Sequence, residues 1–88
     1  MSQLFKAIII DDEPAARRLV RSLLQEHKDV VEVIAEAANG GEAIKKIESL
    51  LPDLIFLDIQ MPDLTGFEVI ERLQHKPNII FTTAYEQY

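Results

Sequence analysis

Acidic side chains follow two apolar segments of this 88-residue chain, and these acids are the residues best suited to chemistry. Residues 54–57, LIFL, are followed by Asp58, and residues 6–10, KAIII, are followed by three acids at residues 11–13. Both segments have the length and composition of buried strands. Because the carboxyl ends of parallel strands form the ligand crevice of an open α/β sheet, we expect these acids to meet there.

Such a cluster of carboxylates favours a divalent cation, because neighbouring carboxylates raise one another's pKa unless a cation compensates their charge. Oxygen ligands without cysteine or histidine indicate Mg²⁺, which binds few carboxylates and often a phosphoryl oxygen. Asp58 is then suited to act as a nucleophile that forms an acyl phosphate. Thr83, which is followed by Ala84, is suited to donate a hydroxyl hydrogen bond to the phosphoryl group. The pattern predicts a magnesium-dependent phosphorylation site.

The composition is that of one globular domain, residues 1–88. The formal net charge of −6, from 9 basic and 15 acidic residues, argues against nucleic-acid binding by this segment, because phosphate backbones require a basic surface. The chain has no cysteine, no signal-peptide pattern and no apolar segment near the ~20 residues of a membrane span. We therefore expect a cytoplasmic protein without membrane contact.

Apolar periodicity predicts an α/β fold in which strands and helices alternate as β-α-β-α-β-α-β. The strands are expected at Phe5–Ile10, Val31–Ala38, Leu54–Leu57 and Asn78–Thr83. The helices are expected to begin at Pro14, after residues 39–41 and near Gly66. Their apolar faces are expected to comprise Ala16, Leu19, Val20, Leu23 and Leu24 in the first helix, Ala43, Ile44, Ile47 and Leu51 in the second, and Phe67, Ile70 and Leu73 in the third.

The pattern within each strand predicts its place in the sheet. The first and third strands are apolar on both faces and should lie in the middle. The second carries Glu32 and Glu36, which is typical of an edge strand. The fourth contains the apolar residues 79–81 and has the pattern of an internal strand, so we expect that structure beyond Tyr88 normally covers it.

Other polar residues are expected to have structural roles. Asp63, in the segment PDLTG, is expected to shape a turn and not to bind metal. Three arginines of the first helix, Arg17, Arg18 and Arg21, are expected on a solvated face, with recognition of a partner as the alternative.

Three segments, IIIDDEP, LIFLDIQMPDLTG and IIFTTA, together resemble the receiver domain of two-component response regulators in order and position. The resemblance covers the whole chain and implies a flavodoxin-like, doubly wound parallel sheet with strand order 2-1-3-4. A complete receiver has a fifth strand and further helices, so the resemblance implies a domain that is incomplete at its C-terminus.

The resemblance also implies roles for individual residues. Asp58 would accept a phosphoryl group from a sensor histidine kinase. Asp12, Asp58 and the Gln60 main-chain carbonyl would bind Mg²⁺, and Asp11 would act through a metal-bound water. Thr83 would be the switch hydroxyl, and Ala84 would supply an oxyanion-binding amide.

Further positions qualify this interpretation. Gln60 and Tyr85 would flank the path of the attacking water. Receivers also use a lysine at the end of the fifth strand, and Lys45, Lys46 and Lys76 do not follow strands in this way. The segments DDEPAARR and TTAYEQY are similar to receivers that precede a LytTR-type DNA-binding domain, so a parent output domain would regulate transcription.

Two other functions fit the sequence less well. A flavin-binding module would require Ser, Thr and Gly after the first strand, where this chain has acids. A haloacid-dehalogenase-type phosphatase would require a second acid two residues after Asp58, where this chain has Gln60. We therefore expect a phosphoacceptor that is not an enzyme. The remaining alternative is a truncated, non-signalling receiver that acts as an assembly module. In either case we expect a homodimer or oligomer through the fourth strand or residues 84–88.

Overall fold

Four parallel strands alternate with three α-helices in the computed structural model, which describes residues 3–82. The strands are β1 (Phe5–Ile10), β2 (Val31–Ala37), β3 (Leu54–Leu57) and β4 (Asn78–Phe81). The helices are α1 (Pro14–Leu24), α2 (Gly40–Leu50) and α3 (Gly66–Arg72), and a short 3₁₀ helix, Gln25–His27, follows α1. The predicted elements are therefore all present, and the described bounds lie close to the expected ones.

The strand order is β2-β1-β3-β4, and each adjacent pair is parallel. β1 and β3 lie in the middle of the sheet and β2 lies at one edge, as their patterns predicted. The register places Ile10 beside Leu57, so β1 and β3 end at the same level. The flavodoxin-like order 2-1-3-4 is confirmed.

The core has two layers because β1 is buried on both faces. Ile8 and Ile10 pack with residues of α2 and α3, including Ile47 and Val69. On the other face Ala7, Ile9 and Phe56 form a smaller cluster, and Val20 and Leu24 of α1 pack against it. Helices therefore cover both faces, as in a doubly wound sheet.

Local signals determine where the helices begin and end. Pro14 occupies the first turn of α1, where its missing N–H costs nothing. Asn39 caps α2 by accepting a hydrogen bond from the Glu42 amide at 2.8 Å. Thr65 and Glu68 form a reciprocal capping box at the start of α3.

Four apolar side chains that were expected on buried helix faces are largely exposed. Leu19 and Leu23 are each 61% exposed, because α1 meets the sheet through Val20 and Leu24. Leu51 lies just after α2 in a left-handed conformation with φ of 51° and is 56% exposed. Phe67 is 54% exposed and contacts the Phe81 ring with centroids 5.5 Å apart. Val69 of α3, which the prediction omitted, is fully buried.

No helix within residues 3–82 is long and apolar enough to cross a bilayer.

Candidate functional site

Three carboxylates meet at the carboxyl ends of β1 and β3. Asp11, Asp12 and Asp58 each place one carboxylate oxygen within 4.8 Å of the others. Strand pairing explains this proximity, because the Asp58 amide donates to the Ile10 carbonyl at 3.0 Å and continues the β1–β3 register. The structure therefore brings together the acids that the sequence predicted would meet.

Burial makes this cluster electrostatically unfavourable without a cation. Asp11 and Asp58 are 7% and 9% exposed, and Asp12 is more exposed. Burial raises the pKa of Asp11, and the carboxylates of Asp58, Asp12 and Glu13 raise it further. A hydrogen bond of 3.0 Å from the Glu13 amide to Asp11 Oδ1 opposes that rise. A divalent cation would relieve this repulsion, and an all-oxygen donor set of three carboxylates fits Mg²⁺.

The main chain of Asp11 is held on both sides. Its amide donates to the Ala37 carbonyl of β2 at 3.0 Å. Its carbonyl accepts a hydrogen bond of 2.6 Å from Arg17 Nη1, while Arg17 Nε donates to Glu36 at 3.0 Å. The side chain of Arg17 is only 17% exposed, so the expectation of a solvated arginine is wrong at this position. Arg17 is partly buried because it donates to the Asp11 carbonyl, and residue types alone do not reveal such a main-chain contact.

Glu36 of β2 joins two arginines of α1. Arg21 Nε donates to its carboxylate at 2.7 Å, beside the bond from Arg17. The hydrogen bond from Arg21, together with that from Arg17, lowers the pKa of Glu36 although partial burial opposes the shift. Arginines one turn apart on α1 and an acid on the neighbouring edge strand are the sequence signal for this contact, which was not predicted.

The loop between β3 and α3 is anchored to α2. Asp63 accepts hydrogen bonds from the Gly40 and Gly41 amides at 2.8 and 2.9 Å, and it also accepts one from the Leu64 amide. Asp63 lies outside the carboxylate cluster, and the hydrogen bonds to the Gly40 and Gly41 amides lower its pKa. It therefore shapes the loop, as expected, and also satisfies amides at the start of α2.

The predicted roles of the other site residues stay predictions. Gln60 is exposed two positions after Asp58, and ligation by its carbonyl stays a prediction. Thr83, Ala84 and Tyr85 lie outside the described residues, so their roles also stay predictions.

Two of the lysines, Lys46 and Lys76, contact main-chain carbonyls. Lys46 Nζ donates to the Glu36 carbonyl at 2.6 Å and pairs with Glu42 at 3.0 Å. Lys76 Nζ lies 3.4 Å from the Ile70 carbonyl.

The family model described as the response regulator receiver domain matches residues 7–88. The chain belongs to the response regulator receiver family. This receiver is 46% identical to the transcriptional regulatory protein BtsR of Salmonella typhi over 97% of its own length. It is 48% identical to an uncharacterized response regulatory protein of Vibrio vulnificus over 93% of its length. The receiver spans only 36% and 34% of those two relatives.

A solved structure has the same fold. The signal receiver domain of the response regulator NarL from Mycobacterium tuberculosis superposes with a TM-score of 0.85 at 26% identity. The match covers 98% of this receiver and 71% of the NarL chain. The order and parallel pairing of the described strands are therefore those of a receiver.

Proposed function

We propose that this receiver accepts a phosphoryl group from a sensor histidine kinase on Asp58, with Mg²⁺ bound beside it, and thereby regulates an output domain. The observation that carries the proposal is the meeting of Asp11, Asp12 and Asp58 within 4.8 Å at the ends of two central strands. An acid that only shaped the turn after β3 would not require two further acids, from the end of β1, beside it. Membership of the receiver family supports the same assignment.

The transfer step follows from the placement of Asp58. One of its carboxylate oxygens attacks the phosphorus, which forms the P–O bond of an acyl phosphate and breaks the P–N bond of phosphohistidine. The released imidazole nitrogen takes up a proton. Three features hold the attacking residue in place. These are the hydrogen bond from the Gly40 amide to Asp63, the hydrogen bond from the Gly66 amide to the Ile59 carbonyl, and the β1–β3 register.

Asp12, Asp58 and the Gln60 carbonyl would hold Mg²⁺, and Asp11 would contact it through water. When bound, the cation neutralises charge on the phosphoryl oxygens. Thr83 and Ala84 would donate hydrogen bonds to the same oxygens. The protein would act as a phosphoacceptor with self-catalysed transfer and loss of phosphate, and not as an enzyme acting on other molecules.

The output is proposed to be transcriptional. Relatives such as BtsR are named transcriptional regulatory proteins and are longer than this chain. A LytTR-type DNA-binding domain is the specific output that the segments DDEPAARR and TTAYEQY favour.

Labelling with acetyl phosphate tests the proposed phosphoacceptor. The wild-type chain should acquire a phosphoryl group that hydroxylamine removes, and Asp58→Asn should abolish this label. Asp29→Asn is the matched control, because Asp29 is an exposed acid between α1 and β2. Undiminished labelling of Asp58→Asn would overturn the assignment.

A second candidate function is an assembly module. Within residues 3–82, β4 pairs with a strand on one side only, and Ile80 and Phe81 are 47% and 45% exposed. Unpaired apolar strand edges recruit other strands, so association of this segment through β4 is the alternative to signalling.

A further inference from the structure

Arg17 connects three separate elements around the carboxylate cluster. The residue belongs to α1, its Nη1 donates to the carbonyl of Asp11 after β1, and its Nε donates to Glu36 of β2. We propose that Arg17 is a positioning residue, which holds the peptide between Asp11 and Asp12 in the orientation that binds the cation. The inference rests on the proposed function, since it assumes that these acids bind Mg²⁺.

The contact acts on the backbone that carries two of the three acids. The Asp11 carbonyl belongs to the peptide group that leads directly into Asp12. Since Asp11 is only 7% exposed, this carbonyl has little access to water that could replace the arginine. Without Arg17 this carbonyl loses its hydrogen-bond donor and the peptide is free to turn, which displaces the Asp12 carboxylate from its neighbours.

The forked shape of a guanidinium suits both contacts. A guanidinium presents Nε and Nη1 in a fixed plane, and here these two atoms reach an acid and a carbonyl at 3.0 and 2.6 Å. A lysine in this position carries the same charge, but its three donors share one nitrogen and do not reproduce the planar fork. Charge alone therefore does not reproduce the arrangement, and Arg17→Lys separates charge from geometry.

Arg21 provides the matched control on the same helix. It binds the same carboxylate of Glu36, at 2.7 Å, but its side chain is 44% exposed. Removing Arg21 removes one ion pair with Glu36 and leaves the bond from Arg17 to the Asp11 carbonyl in place. An effect specific to Arg17 therefore reports on that carbonyl contact and not on the ion pair.

The experiment is a Mg²⁺ titration monitored by NMR at the amides of residues 11–13 and 58–60. It compares the wild-type chain with Arg17→Ala, Arg17→Lys and Arg21→Ala. Loss of a group that orients a metal ligand commonly weakens metal binding by 10–100-fold. We expect both Arg17 variants to bind Mg²⁺ about tenfold more weakly than wild type. Arg21→Ala should bind as wild type does. Urea unfolding and amide dispersion identify any variant that does not fold, and Arg17→Lys then carries the test.

Four results would contradict the inference in different ways. Equal Mg²⁺ affinity in wild type and both Arg17 variants would overturn it and leave the proposed function intact. Equal weakening in Arg17→Ala and Arg21→Ala would assign the effect to Glu36 and also overturn it. A wild-type chain that binds no Mg²⁺ would overturn the proposed metal site together with this inference. In the metal-free chain the ¹³C shift of the Asp11 carbonyl should change in Arg17→Ala and not in Arg21→Ala, and an unchanged shift would refute the contact itself.

Discussion

Gly66 packs directly against the main chain of Asp58, and a β-carbon on Gly66 would lie 2.8 Å from the Asp58 carbonyl oxygen. The same β-carbon would lie 3.2 Å from the α-carbon of Ile59, whose carbonyl accepts a 2.7 Å hydrogen bond from the Gly66 amide. The first residue of α3 and the backbone of the proposed phosphoacceptor are therefore in contact.

We expect Gly66→Ala to destabilise the chain by about 1–3 kcal/mol, the usual cost of overpacking, because backbone atoms cannot yield as a flexible side chain can. Gly41→Ala is the control, since a β-carbon there meets its nearest atoms at 3.6 and 3.7 Å and α2 gains a better helix former. Urea unfolding of both variants measures the difference. A Gly66→Ala protein as stable as Gly41→Ala would show that the loop can relax.

Mg²⁺ should bind weakly to this chain and shift the amides around Asp12 and Asp58, because both carboxylates belong to the cluster. Asp12→Ala should weaken binding by about tenfold or more, since losing a ligand costs at least as much as losing a group that orients one. Asp29→Ala should leave the affinity unchanged. NMR titration provides the measurement, and amides unmoved by Mg²⁺ would rule out an assembled site.

Asp11→Asn should stabilise the metal-free chain at pH 7. Burial and the neighbouring carboxylates raise the pKa of Asp11 above its ordinary value of 3.8, so the folded state holds this proton more tightly than the unfolded state. Ionised Asp11 therefore lowers stability above the raised pKa, and this penalty disappears as the pH falls towards 3.8. Asparagine keeps an oxygen for the Glu13 amide and removes the charge.

The expected gain at pH 7 is roughly 0.5–2 kcal/mol, the common size of stabilising substitutions. It should shrink as the pH falls through the raised pKa and vanish near 3.8. Chemical denaturation of both proteins across this pH range tests the sign. A gain that grew on acidification would mean that the carboxylate stabilises the fold.

Ile80→Lys should reduce self-association of the 88-residue chain, because Ile80 is 47% exposed on β4, which has one partner strand within the described residues. Charged residues protect strand edges from pairing with other chains. Leu50→Lys, at a residue that is 44% exposed on α2, is matched in exposure and charge. Light scattering over a concentration series measures the mass, and a wild-type chain that stays at 10.0 kDa would contradict the prediction.

The order of elements was predictable because it depends on local patterns. The apolar segments KAIII and LIFL have the length and composition of buried strands, and Pro14 marks a helix start by its own chemistry. The meeting of Asp11 and Asp58 followed from one rule, that parallel strands end at a common edge.

The predictions that failed concerned contacts between residues far apart in the sequence. Helical periodicity identifies an apolar face but not how much of it a neighbour covers, so Leu19 and Phe67 were wrongly expected to be buried. The hydrogen bond from Arg17 to the Asp11 carbonyl was not predicted because its acceptor is a main-chain oxygen, which any residue type could supply. The close approach of Gly66 to Asp58 depends on where α3 packs. From the sequence alone, a glycine at this position is equally consistent with a simple turn residue.

The central position of β1 affects how the chain folds during synthesis. β1 is the first of the four strands to be translated, yet it pairs with both β2 and β3, and Lys6 bonds to Asp53, 47 positions away. Its segment of Ala7 and three isoleucines therefore leaves the ribosome long before both of its edges can be covered. Long-range parallel pairing is slow and leaves apolar strands accessible to aggregation. This segment is consequently prone to aggregation in the nascent chain until β3 has been made.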